Sequence, residues 1–147
     1  MLEADGHMRV AAIDLGKVRV GLAVSDELGV LAHPRANLDG RDAKKLLAEL
    51  ASLATAEGIE RFVIGHPLDM KGGEGDAAQR ARRFAQRLAD STGRDVELFD
   101  ERLTTTEAHR KLRDGGTNAR KGKDKVDGAA AAVILQAWLD RAQGAGR

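Results

Sequence analysis

No cysteine occurs among the 147 residues. That excludes disulfides and thiolate-metal sites and allows a reducing cytoplasm. Aromatic residues are also scarce, at 3% of the chain against 42% hydrophobic residues in all, so a core has to be built from Leu, Val, Ile and Ala. Long apolar runs are missing: every stretch falls well short of the roughly 20 residues of a membrane span. No basic segment followed by an apolar run opens the chain, as a secretory signal would require. A large net charge is missing too, the formal value being +1. What is present is a length suited to one domain. Residues 1–8 (MLEADGHM) are polar and patternless. They are expected to be a tag or leader outside a single domain over 9–143, with Met8 a candidate natural start.

The small net charge hides an uneven distribution. From His109 to Lys125, seven basic residues (Arg110, Lys111, Arg113, Arg120, Lys121, Lys123, Lys125) face Asp114 and Asp124, which leaves +5 in the window and −4 in the rest. Such polarity suits a polyanion held on one face, and it equally suits a solvated glycine-rich loop.

Periodicity gives the order βββαβαβαα. Arg9–Leu15 and Val18–Ser25, joined by a tight glycine-containing turn, read as a β-hairpin. Val30–Leu38 is a weaker strand whose Pro34 argues for an edge or a bulge. Arg41–Glu57 is a helix with Leu46, Leu50 and Leu53 on one stripe and Leu47 and Ala54 beside it; Asp39 or Asp42 caps it and Gly58 ends it. Arg61–Gly65 is a buried strand. Pro67–Gly75 is a loop, and Asp76–Thr92 is a helix with Ala77, Ala81, Phe84 and Leu88 inward. Asp95–Phe99 is the fifth strand. Thr104–Asp114 reads as a threonine-capped helix with Glu107 placed for a capping box. A basic loop over Gly115–Gly122 precedes a last helix, Lys125–Ala142, with Val126, Ala130, Val133, Ile134, Ala137 and Trp138 inward. The expected architecture is α/β, a five-stranded mixed sheet with helices on both faces.

Three carboxylates stand out by position. Asp14 lies at the end of the first strand, Glu101 just after the fifth, and Asp127 in the first turn of the last helix. Ligands of open α/β sheets gather at strand ends. Carboxylates brought together there repel unless a cation neutralises them. All-oxygen donors select a hard divalent ion, Mg²⁺ or Mn²⁺, which suits phosphodiester hydrolysis. Zinc is disfavoured, since the four histidines (His7, His33, His66, His109) lack ligand spacing. Each acid also has a plain reading: Asp14 as a turn residue, Asp100-Glu101-Arg102 as a surface ion-pair run, Asp127 as a helix N-terminal residue.

Four ordered segments carry a family resemblance: AIDLGKVRVGLAV (Ala12–Val24), VIGHPLDMKGGEGD (Val63–Asp76), DERLTTTE (Asp100–Glu107) and VDGAAAAVILQ (Val126–Gln136). Together they resemble the YqgF (RuvX-like) family over nearly the whole chain from Arg9 onward. The resemblance implies an RNase H-like fold, with Asp14, Glu101 and Asp127 at the family's catalytic and metal-binding positions. It implies a metal-dependent endonuclease, most plainly one that matures the 5′ end of pre-16S rRNA in the cytoplasm. The alternative is a four-way junction resolvase working as a homodimer. Departures from the family pattern fall in the loop: His66, Asp69 and Lys71. His66 is read as a structural hydrogen-bonding group rather than a proton carrier.

Lys17, Arg19, Lys71 and Arg102 flank the supposed site, and Arg120, Lys121 and Lys123 lie in the basic loop. All seven are candidate phosphate contacts. Asp124 is a reserve carboxylate. Thr104 and Thr105 read as caps, and Trp138 as a core or dimer contact. Two further classes remain in view: a non-catalytic nucleic-acid-binding module, and an actin-like ATPase, which would need a second domain.

Overall fold

The apolar run that opens the chain becomes the middle of a sheet. In the computed structural model, residues 8–114 and 127–145 are described. Strand β1 (Arg9–Asp14) lies between β2 (Arg19–Ser25) and β4 (Ile59–His66); β3 (Ala32–Asp39) and β5 (Asp95–Asp100) are the outer strands, giving the order β3-β2-β1-β4-β5. β1 pairs antiparallel with β2, and β2 with β3, while β1, β4 and β5 run parallel. The expected mixed sheet is therefore present. Pro34 sits on an outer strand, regularly paired with Ala23, so the edge reading holds; the irregular register of this pair lies between Val20 and Leu22.

Both faces of the sheet are covered, and the strand alternation feeds two cores. Ala11, Ile13, Leu22, Phe62 and Ile64 meet helices α1 (Ala43–Glu57) and α2 (Asp76–Thr92) through Leu46, Leu50, Ala81, Phe84 and Leu88. Val10, Ala12, Ala23 and Val63 meet α3 (Thr106–Asp114) and α4 (Ala129–Ala145) through Leu112, Ala131, Ile134 and Leu135. Each fully buried leucine or isoleucine contributes about 1.5–3 kcal/mol, which makes an aliphatic core sufficient. Asp42 caps α1 by accepting from the Lys45 N–H at 3.2 Å, and Gly58 ends it in the left-handed conformation.

Several local expectations are corrected. In α2 the inward residue of the first turn is Ala78, and Ala77 is exposed. One position is about 100° on a helix, so a sparse stripe fixes its edge poorly. The cap of α3 is Thr105, whose hydroxyl accepts from the Ala108 N–H at 3.0 Å. Thr104 instead donates to the Glu101 carbonyl and Glu107 pairs with Arg110, so no capping box forms. A short 3₁₀ turn, Glu101–Leu103, was not foreseen. The last helix begins at Ala129, and Asp127-Gly128 form a turn before it. Its buried stripe is Ala131, Ala132, Ile134, Leu135, Ala137 and Leu139, with Val133 and Trp138 partly buried and Ala130 exposed. The expectations placed on residues 1–7, the loop Gly115–Gly122, Asp124, Lys125 and Val126 lie outside the described residues.

Candidate active site

Because β1, β4 and β5 are parallel, their C-terminal ends share one edge, which brings Asp14, His66 and Asp100 to the same rim. Glu101 follows Asp100 on the 3₁₀ turn, folded back over β4. A Cβ added at Gly65 would lie 2.5 Å from Glu101 Oε2 and 2.7 Å from Ile134 Cδ1. Only a glycine on this strand leaves Glu101 room between β4 and α4.

Asp14 sits on the same face. Its Cβ and the Cβ of Ala131 both lie beside Gly21, which pairs with Asp14 in the β1–β2 ladder. Burial raises the pKa of Asp14. Burial raises that of Glu101 too, and the charge of Asp14 adds to it, while His66 opposes the shift. Neither carboxylate accepts a hydrogen bond or ion pair among the described residues. Two desolvated acids, one raised further by the charge of the other, form an environment that a divalent ion would relieve.

Asp127 reaches this region from the opposite side. It lines a cavity of about 790 Å³ together with Asp14, Arg19, Gly21 and Asn37. Its position follows from Gly128, whose φ of +74° no helix interior accepts and which favours glycine. A Cβ there would lie 2.5 Å from the Leu22 carbonyl oxygen and 2.8 Å from the backbone N and O of Arg35. The turn is therefore pressed against the irregular β2–β3 pairing. Asn37 then fixes the carboxylate: its backbone N–H and side-chain amide each donate to Asp127 at 3.2 Å, and its side-chain oxygen accepts from the Gly128 N–H at 3.2 Å. No motif pointed to Asn37; its one sequence signal is a place on the strand facing the last helix. Among the described residues, no three His, Asp or Glu side chains are grouped closely enough to hold a metal ion. Asp14 and Glu101 are neighbours, and Asp127 shares a cavity with Asp14 while bound to Asn37.

The Pro67–Gly75 loop is braced beside them. His66 Nε2 is 2.8 Å from Glu74 Oε2, and Arg82 makes a two-pronged contact with the same carboxylate. Arg82 and His66 hold the Glu74 pKa down to about 2. This matches the structural role expected for His66. Asp69 Oδ1 accepts from the N–H groups of Lys71 and Gly73, so the unusual aspartate shapes the turn. Arg102 is engaged by Asp100 and by the carbonyls of Asp69 and Met70. Of the candidate phosphate contacts, Arg19 lines the cavity with Asp14 and Asp127. Lys17 and Lys71 are exposed, with Lys17 opening onto another groove. Arg120, Lys121 and Lys123 lie outside the described residues. Trp138 packs on the second core, with its Nε1 donating to Glu97 at 3.1 Å.

Comparison with known proteins shows the family and the fold. The family model described as "RuvX: Holliday junction resolvase" matches residues 8–141. The "Putative pre-16S rRNA nuclease" of Anaeromyxobacter dehalogenans (strain 2CP-1 / ATCC BAA-258) is 48% identical over 134 residues, 91% of this chain and 98% of that protein. The protein of the same name from Myxococcus xanthus (strain DK1622) is 41% identical over 133 residues, 90% of this chain and 88% of its own. Among solved structures, "T. thermophilus RuvC in complex with Holliday junction substrate" superposes with a TM-score of 0.65 at 15% identity, covering 94% of this chain and 97% of that one. At that identity the likeness shows the fold, which is RNase H-like.

Proposed function

The chain belongs to the RuvX family, and from that premise we propose that it is a divalent-metal-dependent endonuclease whose natural substrate is the 5′ region of pre-16S rRNA. One observation carries the reading: Asp14 and Glu101 are held partly buried at the shared end of the parallel strands, each raised in pKa and without a hydrogen-bond or ion-pair partner among the described residues. A purely structural pair would be disfavoured there, since like charges taken out of water destabilise a fold unless something neutralises them. That argues against a module that only binds nucleic acid.

Asp14 and Glu101 would hold Mg²⁺ or Mn²⁺, with Asp127 completing the ligand set from the turn before α4; hard oxygen donors without thiolate suit those ions. When bound, such an ion supplies charge neutralisation at the scissile phosphate and an activated water. The chain's own groups do the rest. Asn37 orients Asp127, and Gly65 and Gly21 leave space for the two carboxylates. Arg19 sits at the cavity to meet a phosphate, with Lys71 and the basic residues Arg120, Lys121 and Lys123 as further contacts that position the strand without reading sequence. Residues 9–143 would act as one nuclease domain. Among the described residues no helix is long and apolar enough to cross a membrane, and a ribosomal RNA substrate places the enzyme in the cytoplasm.

The test is a cleavage assay on an end-labelled pre-16S 5′ fragment and on a synthetic four-way DNA junction, with Mg²⁺, Mn²⁺ or chelator, for the parent and for Asp127→Asn. Metal-dependent cutting of the RNA, lost in the variant, is the expected result. Paired symmetric cuts in the junction would replace the maturation role by a resolvase, and with it a two-fold dimer. No cutting of either substrate with any metal would overturn the catalytic reading.

A further inference from the structure

On the opposite side of the β1–β2 turn from Asp127 lies a second concavity, of about 400 Å³, between that turn, the start of α1 and the flank of α2. Its charged lining is entirely basic: Lys17 from the turn and Arg80, Arg83 and Arg87 from α2, over a floor that includes Leu46 and Phe84. Residues 80, 83 and 87 fall on one helical stripe, where three guanidinium groups repel one another. Several surface arginines of this chain are paired, Arg35 with Glu57, Arg41 with Asp39, Arg82 with Glu74 and Arg102 with Asp100, while Arg19, Arg113 and Arg141 are exposed without an ion pair among the described residues. What sets the groove apart is that four such cations converge on one concavity. The four groove cations have no hydrogen bond or ion pair among the described residues, and no carboxylate lines the groove. Arg82, one residue from Arg83 and on another face of the helix, is neutralised by Glu74, so the missing partners belong to the groove rather than to α2 as a whole.

We propose that this groove binds the phosphodiester backbone of the substrate strand a few nucleotides from the bond cut at Asp14, an inference that rests on the nuclease reading above. The groove begins at Leu15-Gly16-Lys17, the residues directly after Asp14. Three residue steps span at most about 11 Å, close to the axial rise of three nucleotides on one strand. A strand with its scissile phosphate at the acidic rim therefore meets Lys17 next and then the arginine stripe. Forked guanidinium groups suit phosphate oxygens, and such contacts add affinity without sequence selection. The acidic rim repels a polyanion until metal is bound, so cations placed just beyond it hold the strand where the rim alone would not.

The test measures binding of a labelled single-stranded RNA by fluorescence anisotropy, in chelator so that nothing is cut, over a range of salt. Each phosphate contact contributes about 0.7 to the slope of log affinity against log salt. Arg83→Gln combined with Arg87→Gln is expected to lower the slope by about 1.4 and to weaken binding at low salt by tenfold or more. In cleavage assays the same pair should raise KM and leave kcat at saturation near the parent value. Arg141→Gln, an exposed α4 residue away from the groove, should leave the slope unchanged. If the arginines served only to cover Leu46 and Phe84 with their aliphatic stems, melting temperature would fall while the slope stayed. A steep parent slope untouched by the double variant would overturn the groove while leaving the nuclease reading intact. A parent chain that cuts no nucleic acid and binds RNA without salt dependence would overturn both. Inorganic phosphate displacing the RNA at millimolar concentration, with the slope unchanged in the variant, would mark a small-anion site and also overturn the proposal.

Discussion

Replacing Gly65 with alanine separates catalytic geometry from stability. Gly65 is an ordinary strand residue without positive φ, so the backbone accepts alanine freely. The added methyl would meet Glu101 Oε2 at 2.5 Å and Ile134 Cδ1 at 2.7 Å, where unstrained contact begins near 3.4 Å. The carboxylate oxygen must therefore retreat by about 0.9 Å, and the isoleucine methyl by somewhat less. Both atoms end flexible side chains, so the overpacking cost should fall near the lower end of the usual range, about 1 kcal/mol. For a domain of this size that is a fall in Tm of about 4 °C.

Catalysis should suffer far more. A misplacement of about 1 Å in a group that positions the reaction costs on the order of 100-fold. The expected result for Gly65→Ala is a kcat/KM about 100-fold below the parent, with a higher metal concentration needed for half-maximal cleavage and nearly native unfolding in urea. Steady-state cleavage of the RNA fragment against metal concentration, alongside urea denaturation, reads both. Parent-like cleavage at parent-like metal would refute the reasoning, because Glu101's location would then not matter. A loss of several kcal/mol in stability would also refute it, by showing that the α4–sheet contact cannot yield.

Burial raises the pKa of Asp14, and burial with Asp14's charge raises that of Glu101, so the folded chain keeps protons that the unfolded chain has released. Metal-free stability should therefore fall as pH rises from the ordinary carboxylate range through the raised values, and Glu101→Gln should flatten that fall; thermal melts in chelator between about pH 4 and pH 8 check it. Glu74 and Asp100, lowered to about 2 by their arginines, act in the other sense: their support is complete above the ordinary range and is lost as pH drops toward about 2. Asn37→Ala should leave the fold intact but free Asp127, lowering cleavage about tenfold; Asn37→Asp should be worse, since it sets a negative charge against Asp127, and an Asn37→Asp as active as the parent would rule out the clamp. Gln136→Leu should cost about 1–3 kcal/mol in urea unfolding, because the fully buried Gln136 accepts from the Ala32 N–H and donates to the Val30 carbonyl, both at 2.9 Å.

The strands and the order of elements along the chain were legible because each apolar run is short and bounded by turn residues, while the order of strands within the sheet came only from the fold. β1 shows such a run best: Val10 to Ile13 are all buried, half toward each core. Asp14 and Glu101 stood out in sequence only by lying just past apolar strands, with plain readings as a turn residue and a surface ion-pair run beside it, and their proposed role came from the family resemblance. The fold sets the two carboxylates near one another, with the charge of Asp14 acting on Glu101. What failed depended on contacts distant in sequence. Asp127 looked like a first-turn helix residue, and only the packing of Gly128 onto Leu22 and Arg35 explains why the chain turns there instead. Asn37 was invisible because its importance comes from a partner 90 positions away. Arg80, Arg83 and Arg87 on α2 carry no motif in the sequence; it is the β1–β2 turn, distant in the chain, that closes them into a groove.

The acidic rim and the basic groove occupy opposite sides of one turn, where the two faces of the sheet carry residues of different size. Toward α4, at the rim, the sheet presents Gly21 beside Ala131 and Gly65 beside Ile134, although Val10, Val63 and Phe99 fill the rest of that face. Separation between packed elements follows side-chain size at the contact, so α4 lies near enough to desolvate Asp14 and Glu101 and to bring Asp127 to the same cavity. Toward α1 and α2 the sheet presents Ile13, Leu22, Phe62 and Ile64, met by Leu50, Phe84 and Leu88. On that face, between the β1–β2 turn and α2, lies the cleft that α2 lines with arginine. Enlarging Gly21 or Gly65 would thus disturb the acids first. Trimming Phe84 would instead let α2 settle inward and narrow the groove, weakening strand binding while the carboxylates kept their places.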